Sequence, residues 1–170
     1  MSVMRINLLN RKVFVDSNAF IYFLTGQASN LTCEIFTKAA EGKIKVVTSV
    51  RVVDETLFKL VCIEAAKRFR ITSNVPKKLR KDKEKVKTLS YVYDTFFNFL
   101  EEIDALVLDV DIHIIARSRE ILETYGLFGN DAITVTLMKS RNLKYILTAD
   151  NDFSVVDDFV ILNPLEESSP

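Results

Sequence analysis

Short apolar runs alternate along this chain with longer stretches whose apolar positions recur at helical spacing. Lys12-Val13-Phe14-Val15-Asp16 reads as a short buried strand. Ser17 to Thr25 follows as a helix, ended by Gly26. Leu31 to Glu41 is a second helix, closed by Gly42. Ile44 to Thr48 is a Val-rich strand, and Val50 to about Arg70 a long helix capped by Ser49 or Thr48. Ile71 to Lys83 is the least regular stretch. Beyond it, Val86, Leu89, Tyr93, Phe96, Phe97, Leu100 and Ile103 follow helical spacing. Ala105 to Val110 is a strand. Ile112 to Tyr125 is a helix ended by Gly126, and Ala132 to Arg141 another, with Asn142 as a left-handed cap. Lys144 to Thr148 and Phe159 to Leu162 are the last strands.

Five strands alternating with helices, none joined by a two-residue hairpin, predict an α/β fold with a mainly parallel sheet. The 170 residues suit a single domain over 1–170, and 48% apolar content suffices for its core. No apolar run approaches the ~18 residues of a membrane span, so no membrane partner is expected. Met1 to Arg5 leads into a short, interrupted apolar stretch, unlike a secretory signal. Cys33 and Cys62 lie far apart and read as reduced, buried thiols, which fits a cytoplasmic location.

The net charge is zero but unevenly spread. From Lys67 to Lys87 there are ten Lys or Arg against Asp82 and Glu84, a net +8 that leaves −8 for the rest. Acid can hold a cation and base a polyanion. Lys77, Lys78, Arg80, Lys81 and Lys83 are the candidate phosphate contacts; a solvated loop is the bland reading of the same run. Tyr91 and Tyr93 could stack on bases, although Tyr93 is expected in the core.

In a parallel sheet, ligands sit beyond the carboxyl ends of the strands. Asp16 follows one strand directly, and Asp150 follows another after one residue. Asp131 opens the helix leading into the Lys144–Thr148 strand. Glu55 lies about two turns into the long helix. Each has a structural alternative. Asp16 can cap a helix, Asp131 can complement a helix dipole, Asp150 can stabilise a turn and Glu55 can pair with Lys59. Glu55 fits that role least, because Val52, Phe58 and Cys62 flank it on the helical wheel. Four carboxylates at one edge need protonation or a cation, and oxygen-only ligands favour Mg²⁺ or Mn²⁺. The single histidine, His113, reads as structural, and no Gly-rich phosphate loop is present.

Val13 to Asn18, Thr48-Ser49 through Asp54-Glu55-Thr56-Leu57, Asn130-Asp131-Ala132 and Leu147 to Phe153 together resemble the PIN-domain family, in particular its VapC-like toxin ribonucleases. The agreement in order and spacing covers about residues 12–163. The resemblance implies a three-layer α/β/α fold and hydrolysis of single-stranded nucleic acid, RNA above all, with Mg²⁺ or Mn²⁺. It makes Asp16, Glu55, Asp131 and Asp150 the acidic site, Asp152 an auxiliary fifth acid and metal ligand, and Asn18 and Thr148 supporting polar residues. It further implies an antitoxin partner and admits a homodimer. One departure is the stretch from Ile63 to Glu102, longer and more basic than in the smallest toxins. It resembles the helical arch or clamp of larger members. Two rivals stay open: an inactive PIN-like RNA-binding or assembly module, and a haloacid-dehalogenase-type phosphohydrolase. The latter normally has a second Asp where Asn18 stands.

Overall fold

The computed structural model describes residues 7–166. Its centre is β1 (Lys12–Val15), whose Val13, Phe14 and Val15 are fully buried, as a strand covered on both faces requires. β2 (Lys45–Ser49) and β3 (Leu106–Leu108) lie successively to one side. β4 (Tyr145–Leu147) and β5 (Val160–Leu162) lie to the other. The order is β3-β2-β1-β4-β5 and every pair is parallel. The α/β expectation holds, with helices flanking a five-stranded parallel sheet. The chain reverses its direction of travel between β1 and β4, so the switch-point crevice opens beside Asp16.

Eight helices connect the strands among the described residues: α1 (Ser17–Leu24), α2 (Asn30–Ala40), α3 (Val50–Phe69), α4 (Val75–Arg80), α5 (Lys83–Lys87), α6 (Tyr91–Glu102), α7 (Ile112–Tyr125) and α8 (Gly129–Ser140). A 3-10 turn spans Asn151–Val155. Ser49 caps α3 by accepting from the Val52 amide at 3.3 Å, while Thr48 donates to the Val15 carbonyl at 3.0 Å and ties β2 to β1. An aromatic cluster locks α6 onto α1 and α2: Phe20 meets Phe96 edge-on at 5.4 Å, and Phe99 stacks on Phe23 at 5.1 Å.

Several expectations need correction. The helical pattern from Val86 to Ile103 is not one helix. Leu89 is drawn into a second small core with Ala65 and Leu79 on the far half of α3, so the chain turns at 88–90 before α6 begins. Val86, Tyr93 and Phe97 are consequently exposed. The stretch from Ile71 to Lys83, expected to be the least regular, contains the short helix α4, whose Leu79 packs into that small core, and ends where α5 begins. α8 starts at Gly129, three residues before the expected Ala132, which puts Asp131 inside its first turn. Cys33 is exposed and Cys62 half-buried. No helix is long and apolar enough to cross a membrane among the described residues.

Leu79→Ala is expected to remove about 2 kcal/mol from the attachment of α4 and α5. Amide hydrogen exchange should speed up over residues 75–89 and stay slow in β1 and β4. Unchanged protection over 75–89 would show that the small core does not hold the segment.

Candidate active site

Four strand-end and helix-start positions meet at the switch point. Val15 pairs with Leu147, and the Asp16 amide donates to the Leu147 carbonyl at 3.1 Å, so Asp16 lies beside the residues that leave β4. Its Oδ2 accepts from Thr148 Oγ1 at 2.8 Å and from Asn18 Nδ2 at 2.7 Å. Its Oδ1 accepts from the Ser17 amide at 2.7 Å, so it also caps α1. Asn18 Oδ1 accepts from the Ala149 amide at 2.9 Å. Asp150 Oδ1 accepts from the Asp152 amide at 2.9 Å and starts the 3-10 turn. Capping and turn-forming, the structural alternatives for Asp16 and Asp150, are therefore real, and both side chains face the crevice as well.

One pocket is lined by Asp16, Asn18, Glu55, Asp131 and Asp150, together with Ser17, Arg51, Val52, Lys59, Asn130 and Thr134. Asp131, Asp150 and Asp152 each offer a carboxylate oxygen within 4.8 Å of the others. Thr148 stands beneath, buried. At such spacing two ionised carboxylates repel by roughly 3 kcal/mol at an effective dielectric near 20. Accordingly Asp131 is pushed up to about 6, by burial first and then by the charges of Asp150, Asp16, Asp152 and Glu55. Burial also raises Asp16, against the hydrogen bonds from Thr148 and Ser17. Glu55 behaves differently. Burial pushes it up, but Lys59, Ser17 and Asn130 outweigh that and hold it below the ordinary carboxylate range.

Glu55 owes its place to α3 packing against α1 and to α8 beside it. Ser17 Oγ donates to its Oε1 at 3.0 Å, Lys59 pairs with the same oxygen, and Asn130 Nδ2 lies 3.5 Å from Oε2. The apolar flank expected around Glu55 is only partly present. Val52 is buried, but Phe58 is 53% exposed. Ser17, Arg51 and Asn130 also line the pocket, beyond the residues that the sequence assigns to the site. The signal for Ser17 and Asn130 is adjacency, to Asp16 and Asp131; Arg51 carries none beyond standing four residues before Glu55. His113 is exposed on α7 and does not line the pocket.

The basic residues lie elsewhere. Lys77, Lys78 and Arg80 are on α4, Lys81 caps it and Lys83 begins α5. None of the five lines the pocket. Their anchor on α3 is Ala65, ten residues and roughly 15 Å beyond Glu55. Asp82 and Glu84 pair with Lys85 and Lys87, which leaves these five outside any ion pair among the described residues.

The PIN-domain family model matches residues 13–158. The chain belongs to the PIN-domain family. Ribonuclease VapC2 of Methanocaldococcus jannaschii is 30% identical over 160 residues, covering 93% of this chain and 97% of that protein. The PIN fold is also seen in FitAcB of Neisseria gonorrhoeae, at TM-score 0.56 and 18% identity, over 89% of this chain and 97% of that one. VapBC2 of Rickettsia felis, bound to a DNA fragment from its promoter, aligns at TM-score 0.55 and 16% identity, over 92% and 98%. In this PIN domain the acids sit at the C-terminal edge of the sheet, where the topology places a ligand crevice.

The elevated Asp131 has a consequence for stability. Its folded value, about 6, lies above the ordinary 3.8, so between those values the folded chain binds the proton more tightly. Stability attributable to this group is present at low pH and is lost as pH rises through about 6. Asp131→Asn should therefore stabilise the metal-free protein by about 1 kcal/mol at pH 7.5, a figure reduced from the full shift because the group is only half-buried. The gain should vanish near pH 4. Urea unfolding in a chelator at both pH values checks it; equal differences at the two would contradict the repulsion.

Proposed function

We propose that this PIN domain is a metal-dependent endoribonuclease that hydrolyses phosphodiester bonds of single-stranded RNA and serves as the toxin of a toxin–antitoxin pair. The observation that carries the reading is the convergence of Asp16, Glu55, Asp131 and Asp150 on one pocket at the switch point. Kinship with ribonuclease VapC2 along nearly the whole chain supports it.

The donors are all oxygens, three of them from Asp131, Asp150 and Asp152 within 4.8 Å, which suits Mg²⁺ or Mn²⁺ better than zinc. A divalent ion bound there supplies a Lewis acid and a water acidic enough to give hydroxide near neutral pH. Asp131, Asp150, Asp152 and Asp16 would hold the ion. Thr148 and Asn18 fix the Asp16 carboxylate by bonding to Oδ2, so it needs no reorganisation when charge arrives. Glu55, kept ionised by Lys59, Ser17 and Asn130, is placed to hold a metal or to accept a proton from the attacking water. The basic residues of α4 and α5 would hold the RNA strand beyond the pocket, in the manner of an arch over residues 63–102.

The rival readings are weaker. Asn18 spends both ends of its amide on Asp16, Thr148 and Ala149, a scaffolding part unlike the second acid of a haloacid-dehalogenase-type phosphohydrolase. An inactive module has no use for an Asp131 held against the repulsion of four other acids. The antitoxin partner is inferred from kinship with VapC2. A second copy of the chain is the further partner, and exposed apolar residues on β3 and α7 (Leu106, Val107, Ile112 and Ile115) suit such a contact. An enzyme of this kind would work in the cytoplasm.

Asp16→Asn should fold, as circular dichroism would report, and lose at least about 100-fold of single-stranded RNA cleavage. Wild-type turnover in that variant would rule out the site. Neutralising Lys77, Lys78, Arg80 and Lys81 together should weaken binding of a long RNA by about tenfold or more at moderate salt. An unchanged affinity would remove the basic segment from the proposal.

A further inference from the structure

The pocket contains two cations as well as its acids, and their positions follow a rule. Arg51, Glu55 and Lys59 are spaced four residues apart on α3, so they form one stripe with Glu55 in the middle. Arg51 and Lys59 are then about 12 Å apart along the helix axis. The stripe is wired together: Arg51 donates to Asn130 Oδ1 at 2.8 Å, Asn130 reaches Glu55 Oε2, and Lys59 pairs with Glu55 Oε1 and lies 3.5 Å from Ser17 Oγ.

Helix stability does not account for Arg51. It stands in the first turn of α3, at the positive end of the helix dipole, where a cation is disfavoured and where α3 carries no acid. It is exposed, so its guanidinium has donors to spare beyond the bond to Asn130. Lys59 does make a favourable pair with Glu55, but it also faces the pocket, where its charge acts on Asp16. Further along the same face comes Cys62, and the charge of Arg80 on α4 acts there. The cations thus continue from the pocket towards the basic segment.

We propose that Arg51 and Lys59 are the phosphate-positioning residues of the cleft, holding the phosphates on either side of the one that lies over Glu55 and the aspartates. The inference rests on the ribonuclease reading above and adds the path of the strand, which runs along α3 from Arg51 past Lys59 towards Arg80. A polyanion entering a pocket lined by four carboxylates is repelled, and two cations flanking the reacting linkage offset that repulsion without occupying the metal's place. Phosphate contacts of this kind fix register and carry no base preference.

The test is the salt dependence of binding to fluorescein-labelled uridine tetramers and decamers, read by anisotropy in a chelator so that the RNA stays intact. For single strands each neutralised phosphate contributes roughly 0.7 to the slope of log K against log salt. Arg51→Met/Lys59→Met should lower the slope by roughly 1.4 on both oligomers. The charge-keeping Arg51→Lys/Lys59→Arg variant should retain the wild-type slope, which a purely structural role in holding Asn130 and Glu55 would not predict. Neutralising Lys77, Lys78, Arg80 and Lys81 should lower the slope on the decamer alone. If the wild type binds RNA and the double Met variant has the wild-type slope, the positioning role is overturned while the ribonuclease reading stands. If the wild type binds neither oligomer, this inference is overturned; the ribonuclease reading falls with it only if single-stranded RNA also goes uncleaved with Mg²⁺ or Mn²⁺ present.

Discussion

The parallel pairing of β1 with β4 decides where the charges of this protein meet. Their register sets Val15 against Leu147, and the next residues along each strand, Asp16 and Thr148, are thereby locked to each other by a hydrogen bond. Asn18 closes the same junction from α1, bonding to Asp16, Thr148 and Ala149. With Asp16 and Asp150 fixed at the end of these two strands, the other acids have only to arrive from helices. α8 brings Asp131 in its first turn and α3 brings Glu55. A slip of one residue between β1 and β4 would part Asp16 from Thr148 and turn a strand's buried side chains to the opposite face.

That junction concentrates negative charge in a half-buried place, and the surrounding structure divides the burden unequally. Glu55 is kept ionised by a lysine, a hydroxyl and an amide. Asp131 has Asp150, Asp16, Asp152 and Glu55 around it and is raised to about 6. Two carboxylates in one pocket are thus driven in opposite directions, a separation that sites performing acid–base or metal chemistry use. Structural duty and functional placement coincide in the same atoms, since Asp16 caps α1 and Asp150 forms a turn while both face the pocket. The cap and turn bonds keep those carboxylates oriented when the charge around them changes.

Much of this could be read along the chain, because parallel sheets expose strand ends at one edge. Asp16 and Asp150 were legible from the apolar runs before them, and the sheet from the absence of tight hairpins. Asp131 was legible with an error in its helix, since Gly129 and Asn130 do not look like helix formers and Phe128 offers no side-chain cap. The apolar helical flank that marks Glu55 in the sequence is buried at Val52 but exposed at Phe58. The parts that escaped depend on contacts between distant elements. Ser17 joins the site only because α1 packs on α3, and Asn130 only because α8 approaches the same helix. The six-residue α4 is too short to show periodicity, and it is secured by Leu79 meeting Ala65, a contact fourteen positions apart.

The separation between acidic pocket and basic segment follows from the same economy of charge. Lysines beside Asp131 would relieve its repulsion and take the place a divalent ion should fill. With their anchor roughly 15 Å beyond Glu55 on the far half of α3, they leave the pocket electronegative and, on the reading proposed above, would still attract a polyanion to its neighbourhood. The long helix α3 makes both possible, because one rigid element carries Glu55 near its start and the anchor for α4 near its end. Attraction over that distance weakens as salt approaches physiological strength, where screening sets in within about 8 Å. A direct phosphate contact at the cleft acts at a shorter range than that. A strand drawn in by α4 and α5, as proposed above, would need cations at the cleft itself to stay in register over the carboxylates, and Arg51 and Lys59 are the two that line it.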